Sequence, residues 1–166
     1  SGTPVTTVSG AQHLAGQTVA VLADGATHPD VVVAGDGTIA LERAASVVTV
    51  GYRTACVYVG PRLEAAAADG TAQAKLGRIT DVAFRLRATL GGEAGAALDK
   101  LLPIPATNQR APAMVMGSPP PLFTGDAICA WTPGHNLEKR IAYRNDSGYP
   151  VQISAIMPQV VVAESR

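Results

Sequence analysis

The chain has 166 residues, and its 13 Lys and Arg balance its 13 Asp and Glu, so its formal net charge is zero. Dedicated nucleic-acid binders and basic membrane-surface proteins need a surplus of Lys and Arg, so both classes are disfavoured. An apolar fraction of 47% excludes a disordered tail, and the sequence contains no run of about 18 apolar residues that could span a membrane.

The start of the chain predicts a fragment of a longer protein. Ser1-Gly2-Thr3-Pro4 has no initiator Met and lacks the charged and apolar regions of a signal peptide. We therefore predict that residues 1–9 are a cloning scar or a linker and that residues 10–166 form a single β-rich domain. A subdivision into 10–62 and 77–166, sharing one core, is the alternative.

Short runs rich in β-branched residues alternate with Gly, Asp and Pro turn signals along most of the chain. Ser46–Val59 predicts one bent strand or two short ones, with Gly51 as the bend. Gln159–Ala163 follows Pro158 and predicts an edge strand. The other predicted strands are Thr18–Asp24, Asp30–Val33, Thr38–Leu41, Ile79–Leu90, Ala127–Trp131, Arg140–Arg144 and Val151–Met157.

Two Asp-Gly pairs and several alternating runs give the most specific local predictions. Type I′ turns need positive φ at both central residues, so Asp36-Gly37 is the strongest hairpin signal and Asp24-Gly25 closes a second hairpin. Period-2 alternation predicts strands with one buried face. The residues expected to share a face are Val82, Phe84, Leu86 and Ala88, opposite Asp81, Arg85 and Arg87; Ile141 and Tyr143; and Val151, Ile153, Ala155 and Met157.

Helix signals are scarce. Leu63–Lys75 has good helix formers but carries Gly70 and no apolar stripe, which predicts a loop or one surface turn. Ala94–Leu101 predicts another turn, and Pro103–Pro121 an irregular connector. Many short strands predict an all-β fold, an antiparallel β-sandwich or barrel-like domain with long irregular connectors and little helix. The candidate core residues are Val19, Val21, Leu22, Ile39, Leu41, Val48, Val50, Val57, Phe84, Leu86, Ile128, Ile141, Ile153 and Ile156.

The polar residues match no catalytic or metal-binding motif. His13, His28 and His135 are isolated, whereas a zinc site needs three or four ligands at defined spacing, and a turn explains His28 more simply. The sequence has no Gly-x-Ser-x-Gly elbow, phosphate-binding glycine loop or calcium loop. We therefore predict no enzyme activity, no catalytic residue, no metal and no cofactor.

The two cysteines favour a structural role. Cys56 and Cys129 lie far apart in sequence and form no CxxC, so we predict reduced core thiols. Cys56 belongs to a Val- and Tyr-rich strand, where its thiol is expected to be desolvated with a raised pKa, unlike an activated thiolate.

The clustered charges also have simple explanations. Four carboxylates lie near turns, where hydrogen bonds to the backbone explain them better than a glycosidase-like pair; they are Asp24, Asp30, Asp36 and Glu42. Three arginines are expected on a solvated or intersubunit face, with only a weak capacity for contact with a DNA backbone; they are Arg78, Arg85 and Arg87.

Two sequence blocks, taken in order, resemble a known family. The first is His13–Gly25 (HLAGQTVAVLADG), followed by His28-Pro29 and Val47–Tyr52. The second is Gly77–Val82 (GRITDV), followed by Arg85-Leu86, Thr89-Leu90-Gly91-Gly92 and Pro121–Asp126 (PLFTGD). Together they resemble the C-terminal region of the tail nozzle proteins of short-tailed bacteriophages, also called hub or packaged-DNA stabilisation proteins, and related tail proteins of phages and prophages.

The resemblance implies a structural virion protein of the phage tail, assembled in the host bacterial cytoplasm. Its copies would form a ring, typically sixfold, around the DNA exit channel, and would contact an adaptor ring and fibres or spikes. Non-specific contact with channel DNA is a further expectation, and membrane association is not expected.

Two alternatives stay open. One is a glycan- or receptor-binding β-sandwich of a phage or bacterial surface protein; such sites usually stack aromatic rings on sugars, and Trp131 with four tyrosines is a thin supply. The other is a hydrolase acting on cell wall or glycan, with Asp24 and His28 as the residues to test.

Overall fold

A computed structural model describes residues 2–64, 75–108, 120–131 and 134–162. Nearly all regular secondary structure in the described residues is β-strand, and the strands pair in antiparallel sheets, which confirms the predicted all-β, sandwich-like class. Contacts divide the chain into two units: residues 1–54, 110–121 and 146–149, and residues 55–109, 122–145 and 150–166. No described helix combines the length and apolar character that crossing a membrane requires.

The described part of the first unit contains five short strands. In chain order they are β1 (Val5–Val8), β2 (Thr18–Ala23), β3 (Ala26–Val32), β4 (Ile39–Ala45) and β5 (Val48–Gly51), with a 3₁₀ turn at Gln12–Leu14. One sheet has the order β3-β2-β5, and the other pairs β1 with β4. β1 lies within residues 1–9, so the segment interpreted as a scar or linker contributes a paired strand.

Alternation along β2 and β4 builds the core of the first unit. Val19 and Val21 of β2 face the same side because residues i and i+2 of a strand do so, and both are buried. Ile39 and Leu41 of β4 are buried in the same cluster. The two small sheets therefore face each other across an apolar layer.

The two Asp-Gly pairs behave differently. Asp24 and Gly25 have φ of 51° and 79°, and Ala23 pairs with Ala26, which confirms the two-residue hairpin. The hairpin predicted at Asp36-Gly37 is wrong, because β3 pairs with β2 whereas β4 pairs with β1. Of this pair only Gly37 has positive φ, while the Asp36 carboxylate accepts hydrogen bonds from Thr38. The Gly37 N–H donates to the Ala34 carbonyl, and the Ala34 N–H donates to the Thr38 carbonyl. A hydrogen-bonded turn therefore connects β3 and β4, which belong to different sheets.

The described part of the second unit contains two further sheets. Its elements are β6 (Cys56–Val59), β7 (Gly77–Thr89), β8 (Glu93–Gly95), β9 (Leu101–Pro103), a single helical turn α1 (Pro105–Asn108), β10 (Phe123–Ala130), β11 (Ala142–Asn145) and β12 (Ile153–Val162). The sheet orders are β10-β7-β12 and β6-β11-β8-β9. Ser46–Val59 is thus two short strands, as predicted, and β5 ends at Gly51. Most of Leu63–Lys75 and Pro103–Pro121 lies outside the described residues.

The core of the second unit lies between its two sheets. Val82, Phe84 and Leu86 of β7 are buried on one face, as their alternation predicts. Across the layer lies Tyr143 of β11, whose ring centroid is 6.2 Å from that of Phe84. Tilted aromatic pairs at this separation are favourable beyond the area they bury. Among the described residues, the buried ones form one cluster in each unit.

Bulges correct two of the predicted faces. Ala88 is exposed because its positive φ of 45° and a register shift opposite Phe123 reverse the alternation, so that Thr89 turns inward instead. In β12 a register shift between Ile153 and Ala155 has the same effect. Ile156 and Val160 therefore pack on the core instead of Ala155 and Met157.

Other predictions are corrected or refined by position in the sheets. Val57 and Ile128, both proposed for the core, are 49% and 68% exposed, because β6 is an edge strand and Ile128 points away from the other sheet. Ala94–Leu101 contains the predicted turn, in which the Lys100 N–H donates to the Ala97 carbonyl, and this turn connects β8 and β9 as a hairpin. Gln159–Val162 continues β12, which is an edge strand as predicted.

Candidate functional site

Both ring nitrogens of His28 form hydrogen bonds with backbone groups. It is 5% exposed; its Nδ1 lies 2.8 Å from the Pro29 carbonyl oxygen, and its Nε2 accepts the Glu42 N–H at 2.9 Å. His28 lies within β3, not in a turn as predicted, and its bond to Glu42 joins two strands that share no ladder. The imidazole is thus a structural bridge, while His13 and His135 are exposed.

The clustered carboxylates bind their own chain. Asp24 accepts the Ser46 and Val47 N–H groups, the latter at 2.7 Å. Hydrogen bonds from the Thr38 hydroxyl and N–H lower the pKa of Asp36. Asp30 forms an ion pair with Arg53. These contacts confirm turn chemistry for Asp24 and Asp36, and they bring no two of these carboxylates together.

The cysteines occupy opposite environments. Cys129 is buried in the core of the second unit, and this burial raises the pKa of its thiol. Cys56 is exposed at the start of β6. The predicted desolvation of Cys56 is therefore wrong, because the edge position of β6 leaves its side chains outside the core.

The arginine face of β7 is partly neutralised. Arg78, Arg85 and Arg87 are all exposed. Arg85 donates two hydrogen bonds to the carboxylate of Asp126, its neighbour on β10, with Nε–Oδ1 and Nη2–Oδ2 distances of 2.8 and 2.9 Å. These hydrogen bonds, and to a smaller extent the charge of Arg85, lower the pKa of Asp126. A nearby carboxylate reduces the attraction of this face for phosphates.

An open cavity of about 620 Å³ lies within the second unit. Its size is in the range of small-molecule sites, but Trp131 is only 9% exposed and so offers little ring surface for stacking. Lys100 is its one charged lining residue among those described. The lining comes from the β8–β9 hairpin, α1 and the end of β10: Ala94, Gly95, Ala96, Lys100, Leu102, Pro103, Pro105, Cys129, Ala130, Trp131 and Gly134.

The environments of two buried polar side chains, Tyr143 and Lys139, were not predicted from the sequence. Tyr143 is fully buried, and its hydroxyl has no hydrogen-bond partner within the described chain. Burial, with a smaller effect of Cys56, raises the pKa of Tyr143 to about 12. Lys139 is 2% exposed and donates from Nζ to the Lys75 carbonyl. The alternation predicted that Tyr143 shares a face with Ile141 but not that its hydroxyl is buried, and a lone Lys carries no periodic signal of burial.

Gly92 is the residue that makes room for Tyr143. Its φ is 101°, and a Cβ there would lie 2.6 Å from the Tyr143 hydroxyl oxygen. The hydroxyl is thus held against backbone, which leaves no opening for a substrate at this point.

β6 is the most unusual surface of the second unit. All four of its residues are exposed, and Val57, Tyr58 and Val59 are 49%, 44% and 48% exposed. The strand pairs with β11 on one side only. Its composition is typical of a buried strand, and periodicity does not separate a central strand from an edge strand, so the sequence analysis missed this edge.

The described residues contain no group of three or more His, Cys, Asp or Glu placed to hold a metal ion. Searches find no protein-family model and no curated protein that match the chain.

Proposed function

We propose that the chain is a structural component of a phage virion, a domain of a tail nozzle or hub protein whose copies form a ring around the DNA exit channel. The observation that carries the proposal is the ordered pair of sequence blocks, His13–Gly25 and Gly77–Val82 with their followers. The role needs no catalysis, cofactor or membrane.

The contacts of the polar residues support a structural role. His28, Asp24 and Asp36 all bind nearby backbone, and such bonds hold turns and sheets together. Side chains that catalyse a reaction instead converge on a cleft. These three side chains therefore stabilise the fold of the chain itself.

The surface supports contact with other protein chains. Large apolar side chains are exposed on several strands, including Val32 at 61%, Ile128 at 68% and Val161 at 55%. Exposed apolar side chains of this kind are available to pack against a neighbouring chain, because their burial is favourable. In a virion these would meet neighbouring copies, an adaptor ring, or fibres and spikes.

The charge pattern favours at most a weak, sequence-independent contact with DNA. The chain has no net charge, and Arg85 is paired with Asp126. A channel lining of this kind would let DNA pass without holding it, because strong binding needs many unpaired cations.

The test is the assembly state and location of the full-length protein. Analytical ultracentrifugation at micromolar concentration is expected to give a ring, with six copies as the leading value, and mass spectrometry of purified phage particles is expected to find the protein in the tail. A strict monomer that is absent from particles would contradict the proposal.

The alternative is a glycan- or receptor-binding module of a phage or bacterial surface protein. Tyr52, which is 62% exposed, is the aromatic residue best placed for stacking. A glycan array separates the two functions: binding that is lost in Tyr52→Ala supports the alternative, and an empty array favours the structural role.

A further inference from the structure

We propose that β6 is a self-pairing edge: β6 of one copy forms an antiparallel ladder with β6 of a second copy, about a two-fold axis at Tyr58. The inference goes beyond the ring and does not rest on it, because a two-fold contact is isologous whereas ring contacts are heterologous.

The direction of the backbone groups in β6 follows from one hydrogen bond. The Gly60 N–H donates to the Ile141 carbonyl at 2.8 Å, and β6 and β11 stay in one register from Cys56 to Val59. Backbone groups in antiparallel strands point alternately to either side. Cys56 and Tyr58 therefore bond β11, and the N–H and C=O groups of Val57 and Val59 point to the open edge.

These edge groups have no partner in the described residues. β6 pairs with β11 alone, and neither Val57 nor Val59 takes part in another hydrogen bond within the part of the chain that the structure describes. Unpaired backbone groups in an edge strand form a template for another extended strand. The occupant that this edge selects is therefore a β-strand.

The opposite edge of the same sheet is protected, whereas β6 is not. The Ile104 N–H donates to the Gly92 carbonyl, so in β9 the groups of Leu101 and Pro103 point outward by the same alternation. Pro103 has no N–H to offer there, which blunts the edge. β6 contains no Pro, no charge and no bulge.

A second copy satisfies this edge completely. With Tyr58 on the axis, Val57 lies opposite Val59 of the second copy, and Val59 lies opposite its Val57. These two hydrogen-bonded pairs use every outward N–H and C=O of both strands. The two Tyr58 side chains become direct neighbours on one face, where aromatic pairs are favourable.

Charge does not oppose the pairing of two identical copies. β6 is uncharged, and the chain has no net charge. Arg62, three residues beyond the strand, forms an ion pair with Glu138. β6 itself therefore brings no like charges together across the axis.

The contact is weak, because four residues a side cover far less than the roughly 1,200 Å² of a stable complex. Its occupancy rises with concentration, and it matters most where copies are already crowded. A covalent trap is therefore the appropriate test.

The experiment places one cysteine at a time in β6 of the 166-residue chain in a Cys56→Ser background and oxidises it mildly. In Tyr58→Cys the two thiols lie across a non-hydrogen-bonded pair, with Cα atoms about 4.5 Å apart, within reach of a disulfide. A cysteine at position 57 faces position 59 of the second copy, and a cysteine at position 59 faces position 57. The two thiols of Val57→Cys, or of Val59→Cys, are therefore offset by two residues along the ladder and are too far apart for a disulfide. Non-reducing gels and intact mass measure the dimer.

We expect at least a tenfold higher yield of dimer from Tyr58→Cys than from Leu102→Cys, an exposed position on the blunted edge. Val57→Pro, added to Tyr58→Cys, is expected to abolish the dimer, because it removes an outward N–H while the β6–β11 hydrogen bonds stay intact. Circular dichroism confirms that the variants are folded.

Equal cross-linking at positions 58 and 102, or a higher yield at 57 or 59, would overturn the proposal. The readout uses the 166-residue chain in solution, so it does not depend on whether the full-length protein forms a ring. A missing ring together with a high dimer yield from Tyr58→Cys would reject the proposed function alone.

Discussion

Phe84 is the residue on which the second core depends most. It is fully buried and lies against Tyr143 of the opposite sheet. We expect Phe84→Ala to lower the free energy of unfolding by about 3–5 kcal/mol, since it removes a large apolar group and leaves a cavity. Urea unfolding followed by the fluorescence of Trp131, the single Trp and a member of the same cluster, measures it.

Ile128→Ala is the matched control for Phe84→Ala, because Ile128 lies on the adjacent strand but is 68% exposed. Its effect is expected to stay within about 0.5 kcal/mol. Equal losses for the two variants would contradict the assignment of the inner and outer faces of this sheet.

His28 stabilises the fold by accepting a hydrogen bond from the backbone N–H of Glu42. We expect His28→Ala to cost about 1–3 kcal/mol, because the Glu42 N–H loses its acceptor in a part-buried position. Hydrogen exchange at the Glu42 amide, compared with His13→Ala at an exposed site, measures the local effect. Unchanged protection of that amide would show that the bond does not contribute.

The Arg85–Asp126 pair is expected to make the free energy of unfolding depend on pH, in a direction set by the lowered pKa of Asp126. The pKa of Asp126 is lowered by hydrogen bonds from Arg85 and by its charge. The pair therefore stabilises the fold above the ordinary Asp pKa of about 3.9, and this contribution is lost as the pH falls through the lowered value.

We expect the difference in unfolding free energy between the wild type and Asp126→Asn to be constant near neutral pH and to shrink in acid. The difference is small, since exposed pairs contribute little, and it falls as salt is added. Urea titrations from neutral to acidic pH measure it, and a difference that grows in acid would reverse the sign.

Among the connections, the Asp24-Gly25 turn carries the most local information. Asp24 adopts a left-handed φ of 51° and also accepts the Ser46 and Val47 N–H groups. Asp24→Ala removes both the acceptor and the tolerance for this φ, and we expect a loss of about 1–3 kcal/mol.

Asp24→Asn is the control, because Asn keeps an acceptor oxygen and adopts left-handed φ readily, so its cost is expected to stay within about 1 kcal/mol. Thermal unfolding followed by circular dichroism compares the two variants. Equal losses would show that the charge of Asp24, not its geometry, stabilises the turn.

The elements that the sequence predicts best are those whose signals are local. β2 and the inner face of β7 follow from alternation, and the Asp24-Gly25 turn from its residues. The predicted orientations of Ala88, Ala155 and Met157 were wrong because bulges depend on the partner strand, and the local sequence does not reveal that partner. Val57 and Ile128 were misplaced because an apolar run does not disclose whether a second layer covers it.

For the whole molecule, the sequence does not predict which strands pair when they lie far apart along the chain. β6 pairs with β11, so Cys56 meets Asn145, and β7 pairs with β12 at the far end of the chain. Nothing in these short strands encodes the choice of partner. The open edge at β6 follows from that choice, which is why it was not predicted.

The contrast between the two thiols has a practical consequence. Cys129 is shielded and Cys56 is open to solvent, so a maleimide fluorophore added to the native protein reacts at a single place without any engineering. Cys56 lies two residues from Tyr58 in β6, so the fluorescence of the dye would change when another molecule binds along this edge of the sheet.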